Sequence, residues 1–290
     1  MDAAARFEYA TAADPALNYC LWQYAPAAPA EDKYRAVNLL WHSFEHAGLD
    51  ARAFDIVQAI RDAIGPFRTV FGIKLLPGGG LGWEFYFYDY ARQAREVSAA
   101  RVQEAIAPWV RSTVRINENL PYFMFSIDLD DATARGERAL DVVHLYVGNP
   151  HSLVSSGIAY GVRRDATVLE NFYFFFDARQ QLAHAADKIA CSAVYDPAQV
   201  PLEQVLLPEL RDCLTICVAN KQAHDCVYFS GITVDQLLFF LERLRYPAAV
   251  TSFVRAHRER LDHLRFDVGF DYRVEAGRLV VLKSGYYGVC

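Results

Sequence analysis

Apolar and polar side chains alternate one by one along much of this chain. Over residues 82–90, Trp83, Phe85 and Phe87 fall on one face of an extended segment. Glu84, Tyr86, Tyr88 and Tyr90 fall on the other, because strand side chains point alternately. The first face suits packing against helices, and the second suits a shaped, partly polar cavity. Helical spacing takes over at 32–47, where Val37, Leu40, Trp41 and Phe44 share a stripe and Gly48 stands at a C-cap position, and again at 53–64. The two patterns then recur along the chain. A hairpin of 69–76 and 81–90 turns at Pro77-Gly78-Gly79-Gly80, and a helix over 91–110 precedes a second hairpin, 122–129 with 139–147. A third pair, 156–162 and 169–176, is followed by helices at 178–189 and 202–210. A fourth pair, 213–219 and 225–230, is followed by helices at 234–244 and 247–263, and a fifth pair spans 265–274 and 278–285.

Five hairpins separated by helices amount to a repeat, and a repeat governs the fold. The strands alternate and so are unlike the continuous apolar runs of a doubly wound parallel sheet. About ten such strands without protected edges predict closure. The expected architecture is α/β (α+β): an antiparallel barrel of about ten strands, built from five ββ pairs and surrounded by helices. Residues 1–290 read as one domain. Within it, 1–31, rich in Ala and Pro, is an irregular segment expected to lie over the surface, and 32–288 is the repeat barrel.

Composition narrows the function. Charged residues make up 22% of the chain, the net charge is −6 and no basic run occurs, so neither nucleic acid nor a membrane surface is an expected partner. The first residues lack a signal-peptide pattern and no apolar run spans a membrane, which together predict a cytoplasmic protein. Cys20, Cys191, Cys213, Cys217, Cys226 and Cys290 follow no framework spacing and read as free thiols. The excess is aromatic, with 17 Tyr and 19 Phe.

The more polar face of each strand gives a candidate lumen: Lys74, Glu84, Tyr86 and Tyr88; Tyr122, Met124, Ser126, Asp128, His144 and Tyr146; Tyr160, Asn171 and Tyr173; Thr215, Cys217, Lys221, Cys226, Tyr228 and Ser230; and Asp267, Asp271, Lys283 and Tyr287. Side chains do not fill a ten-stranded barrel as they fill one of eight, so this set predicts a binding cavity.

Five ββ pairs wrapped by helices resemble the barrel of the αββα aromatic prenyltransferases, most of all the cyanobactin (peptide) prenyltransferases. The likeness covers roughly 65–288. It is carried by Phe125-Ser126-Ile127-Asp128-Leu129, a loop and Leu140-Asp141-Val142-Val143-His144-Leu145-Tyr146-Val147, and by Ser252-Phe253 with 279–287. The resemblance implies metal-independent transfer of a prenyl group from an allylic diphosphate, dimethylallyl or geranyl, to an aromatic or peptide acceptor in natural product biosynthesis. It implies no cofactor, with Mg2+ at most accompanying the diphosphate. It makes Glu84 the base, Lys74, Lys221 and Lys283 diphosphate ligands, and Tyr86, Tyr146, Tyr173, Tyr228 and Tyr287 a shield around the allylic cation; His144, Asn171 and Tyr88 join them as substrate-binding residues. Where the family shows Lys-x-Tyr on the fourth strand, this chain has His144-Leu145-Tyr146, and the sixth strand reads Asn171-Phe172-Tyr173, without a cation. An unperturbed histidine would be only partly protonated near neutral pH. The alternative is a barrel that binds a hydrophobic molecule or peptide without chemistry.

Rival motifs are weaker. His42-Ser43-Phe44-Glu45-His46, with Glu118 downstream, fits a zinc-helix spacing but also a packed helix. Asp128-Leu129-Asp130 resembles a phosphatase start, yet Asp131 and Ala132 follow it and the fold class differs. The glycines at 78–80 and 82 precede no helix and read as a hairpin turn.

Overall fold

The computed structural model describes residues 7–89, 95–148 and 155–290. Its strands close into a single antiparallel barrel in the order β1-β10-β9-β8-β7-β6-β5-β4-β3-β2. In chain order the elements are α1 (Val37–His46), α2 (Ala51–Ile64), β1 (Thr69–Leu75), β2 (Leu81–Tyr88), α3 (Ala99–Ile106), β3 (Met124–Leu129), α4 (Asp131–Ala134), β4 (Val143–Gly148), β5 (Ser156–Val162) and β6 (Thr167–Asp177). They continue with α5 (Leu182–Ala190), β7 (Thr215–Lys221), β8 (Asp225–Ile232), α6 (Val234–Arg243), α7 (Ala248–Ala256), α8 (Arg258–Leu261), β9 (Phe266–Glu275) and β10 (Arg278–Val289). All five ββ pairs are those read from the sequence, so the predicted barrel stands.

The main core lies outside the barrel wall. Trp83, Phe85 and Phe87 of β2 pack with Leu40 and Phe44 of α1 and Ile56 and Ile60 of α2 in one continuous apolar layer. A second, smaller cluster inside the wall contains Tyr86, Tyr88, Met124, Tyr146, Ala159 and Tyr287. The two faces of β2 are therefore divided as alternation predicts; Tyr90 lies outside the described residues.

Several helices differ from expectation for local reasons. The helix expected over 91–110 is α3 alone among the described residues. Arg95 adopts a left-handed φ of 47°, and the Ser98 side chain caps the helix start by accepting from the Arg101 N–H. Residues 202–210 form two 3-10 turns, Leu202–Gln204 and Pro208–Leu210, in place of one helix. Pro208 supplies no N–H and disfavours a helical residue before it. His257 leaves helical geometry and divides α7 from α8.

The N-terminal segment departs most from its predicted place on the surface. Leu17 bridges Gln23, and the Leu21 N–H closes a tight reversal on the Asn18 carbonyl at 2.8 Å. The tip of this reversal enters one end of the barrel, where Tyr19 packs 4.7 Å from the Tyr287 ring and 5.1 Å from the Tyr86 ring. Glu8 ties the same segment to the helices by bidentate pairing with Arg61, at 2.7 and 2.8 Å. No helix among the described residues is long and apolar enough to cross a membrane.

The division of β2 predicts unequal costs for neighbouring substitutions. Phe85→Ala removes a fully buried ring from the outer core and is expected to cost about 3–5 kcal/mol in urea unfolding, whereas Tyr86→Phe is expected to cost less than about 1 kcal/mol. Equal costs would contradict the assignment of the faces.

Candidate functional site

Antiparallel register places one tyrosine from every even-numbered strand at the same height in the lumen. Tyr86, Tyr146, Tyr173, Tyr228 and Tyr287 lie opposite Ser126, Ala159, Ala219, Gly269 and Gly72 respectively on the next strand. Each ring therefore faces a neighbour small enough to leave room for it. A Cβ at Gly269 would stand 2.3 Å from the Tyr228 ring, and one at Gly72 would stand 2.5 Å from Tyr287. The rings touch around the belt, with centroids 6.0 Å apart for Tyr86–Tyr146, 5.9 Å for Tyr146–Tyr173, 6.3 Å for Tyr228–Tyr287 and 5.8 Å for Tyr86–Tyr287. Burial raises the pKa of all five, so they are neutral phenols at any ordinary pH.

The belt separates two chambers. Toward the hairpin turns lies one of about 400 Å³ that contains the predicted polar residues Lys74, Glu84, His144, Asn171, Lys221 and Lys283. Beyond the belt lies one of about 450 Å³ walled by Tyr88, Met124, Phe175 and the inserted Tyr19. Tyr146, Tyr173 and Tyr228 line both. The candidate residues thus converge, with Tyr88 alone set on the far side of the belt. Tyr122 and Tyr160 do not reach the lumen. Tyr122 precedes β3, donates its hydroxyl to Glu118 and packs in the outer core. Tyr160 stands opposite Leu145 of the outer core, and the inward residues of its strand are the small Gly157 and Ala159.

The cations of the first chamber are already engaged by carboxylates. Lys74 Nζ is 2.6 Å from Glu84 and 2.8 Å from Asp128. Lys221 Nζ reaches both oxygens of Asp271 at 2.9 Å, His224 Nε2 meets the same carboxylate at 2.9 Å, and Lys283 Nζ lies 3.5 Å away. His144 pairs with Glu170 at 2.7 Å and faces Asp128 at 3.6 Å. Sequence reasoning missed Glu170, and it offered His224 only as a neighbour of Cys213, Cys217 and Cys226, not as a residue of this chamber. Glu170 is the extra residue of a β-bulge on β6, and its carboxylate lies over Gly161, where no side chain intervenes.

Enclosure by itself would raise the Asp128 and Asp271 pKa values. The neighbouring cations outweigh it and hold both carboxyls well below the usual range, Lys74 and His144 for Asp128, and His224 and the lysines for Asp271. Burial would lower the Lys74 pKa, yet Asp128 and Glu84 hold it well above its ordinary value. The same balance acts on His144: burial opposes protonation, but hydrogen bonds from the ring to Asp128 and Glu170 raise its pKa to about 9. His144 is therefore an imidazolium at neutral pH, which corrects the expectation of partial protonation. Three lysines and this imidazolium face four carboxyl groups, so the chamber carries as many acids as firm cations.

The zinc-like motif packs instead. His42 stacks on Phe253 with centroids 4.2 Å apart, and its Nε2 lies 3.2 Å from the Ala249 carbonyl oxygen. Among the described residues no group of three or more His, Cys, Asp or Glu is arranged to hold a metal ion.

Because the His144 pKa is raised in the folded state, its pairing stabilises the protein fully below about pH 6.5 and ceases to do so as pH rises through 9. The shift bounds the effect at about 3 kcal/mol. Urea stability of the wild type relative to His144→Gln is expected to fall between pH 6.5 and 9.5, with the imidazole titrating near 9 by NMR. A midpoint near 6.5 would contradict the pairing.

No protein-family model matches the chain, and no curated protein does. Solved structures do. The prenyltransferase PriB matches in its binary complex with product diphosphate, with a TM-score of 0.54 and 11% identity over 88% of this chain and 94% of PriB. The apo form of PriB gives 0.52 and 10% over the same shares. The 5-dimethylallyltryptophan synthase from Streptomyces coelicolor gives 0.49 and 11% over 86% of this chain and 94% of its own. At these identities it is the fold that is shared: the chain has the ten-stranded barrel of the ABBA-type aromatic prenyltransferases.

Proposed function

We propose that this barrel transfers a prenyl group from an allylic diphosphate, dimethylallyl or geranyl, to an electron-rich aromatic or peptide acceptor. The observation that carries the reading is the belt of five tyrosine rings set directly beneath the chamber where Lys74, His144, Lys221 and Lys283 converge. Ionising an allylic diphosphate requires fixed positive charge at the leaving group, π faces around the carbocation and exclusion of water. PriB, which shares the fold, is a prenyltransferase and binds product diphosphate.

In this reading the allylic C–O bond breaks and its electron pair leaves with the diphosphate. A π pair of the acceptor forms the new C–C bond, and the displaced proton passes to Glu84. The Lys74–Glu84 contact of 2.6 Å gives the sequence of events a physical basis. An arriving diphosphate competes for the ammonium, and Glu84 is released from it as a base. Asn171 hydrogen-bonds Tyr173 Oη at 2.8 Å and orients that ring. No cofactor takes part, and a Mg2+ ion enters only as a companion of the diphosphate.

A second reading, a barrel that binds a hydrophobic ligand without chemistry, is favoured by the carboxylate beside every lysine in the chamber. Titration with dimethylallyl and geranyl S-thiolodiphosphate separates the two. The transfer reading expects micromolar binding, weakened about tenfold (roughly 1.4 kcal/mol) in Lys221→Ala and in Lys283→Ala. Glu84→Gln is expected to bind the analogue but to lose about 10²- to 10⁴-fold in turnover. No binding at millimolar analogue would leave only the second reading.

A further inference from the structure

We propose that the chamber beyond the tyrosine belt is a binding site for an aromatic ligand carrying a protonated amine, with Asp267 as the counter-ion. Asp267 is on β9, fully buried, and lines this chamber of about 450 Å³. It accepts from Ser230 Oγ at 2.8 Å and from the Gly231 N–H at 2.9 Å, both neutral donors. A carboxylate has about four acceptor positions, so half of its capacity is unspent. Glu84, Asp128, Glu170 and Asp271 each meet a lysine or histidine, whereas no cation among the described residues pairs with Asp267.

Among the described residues, the titratable groups that share its wall or its strand register are all neutral acids, Tyr19 and Tyr88 among them. Cys20 belongs to the inserted N-terminal reversal, Cys213 and Cys217 to β7 and its approach, Tyr228 to β8 and Tyr287 to β10. Burial raises the pKa of each, so each is neutral and none supplies positive charge. An ionised carboxylate buried against neutral groups is unfavourable. In keeping with this, burial pushes the Asp267 pKa up to about 7, against the weaker effect of its two donors. A cation brought by the ligand is the missing partner.

The walls specify the rest of the ligand. Phe175, Met124 and Tyr88 present apolar and aromatic surface, and the volume is that of a small-molecule site. Tyr146, Tyr173 and Tyr228 are shared with the other chamber, so a ring held on Asp267 lies against the belt. The site lies across the belt from Glu84 and does not depend on the transfer reading.

The test is calorimetric titration of the full chain with tryptamine and with its uncharged analogue 3-ethylindole, at pH 6 and pH 8. Tryptamine is expected to bind at least tenfold more tightly than 3-ethylindole at pH 8, and roughly tenfold less tightly itself at pH 6, where Asp267 is mostly protonated. Asp267→Asn is expected to equalise the two ligands. Gly157→Leu, which fills the chamber, is expected to abolish binding of both. Equal affinity of the two ligands for the wild type, no tryptamine binding at millimolar concentration, or a preference surviving in Asp267→Asn would overturn the proposal. The comparison of ligands and pH in the wild type needs no variant to fold. Tryptamine binding without thiolodiphosphate binding would leave this site standing and remove the transfer reading; the converse would remove the site alone.

Discussion

The structure depends on the pairing of a large ring with a small residue across each junction between successive hairpins. Closure of ten strands leaves a lumen too wide to pack solid. The chain spans it at one height with five tyrosines, each given space by Ser126, Ala159, Ala219, Gly269 or Gly72 on the adjoining strand. Without those small partners the rings would meet side chains at the wall and be driven toward the axis. With them, a partition forms that has π faces on both sides and room around it.

Everything polar in the lumen is arranged about that partition. On the side of the turns, lysines and carboxylates neutralise one another at close range. This lowers the cost of holding so many charges in an enclosed space, though burial of such pairs contributes little net stability. In the transfer reading, a diphosphate enters by displacing carboxylates from Lys74 and Lys221. On the far side the only carboxyl in the described wall is Asp267, held by neutral donors. The first chamber is thus charge-balanced, whereas the carboxyl of the second meets no cation among the described residues.

Much of this was legible in the sequence because alternation is a local property. The five hairpins and the faces of β2 follow from period-two spacing, and the belt tyrosines each fall on the inward face of an even-numbered strand. What was not legible depends on geometry between distant segments. Tyr160 is the aromatic polar residue of β5, yet the inward face of that strand is small, with Gly157 and Ala159. Glu170 reaches His144 through a bulge that no spacing reveals, and the shift of the His144 pKa follows from that contact. Tyr19 lies in an irregular segment with no periodicity, so its entry into the barrel has no sequence signal at all.

The transfer reading places the diphosphate on the Lys74 side of the tyrosine belt. A crystal structure of the protein soaked with dimethylallyl S-thiolodiphosphate tests it most directly. The diphosphate is expected among Lys74, His144, Lys221 and Lys283, with the allylic carbons resting on the rings of Tyr86, Tyr146, Tyr173, Tyr228 and Tyr287. A diphosphate bound on the Asp267 side of the belt, or a lumen left without the analogue, would contradict it.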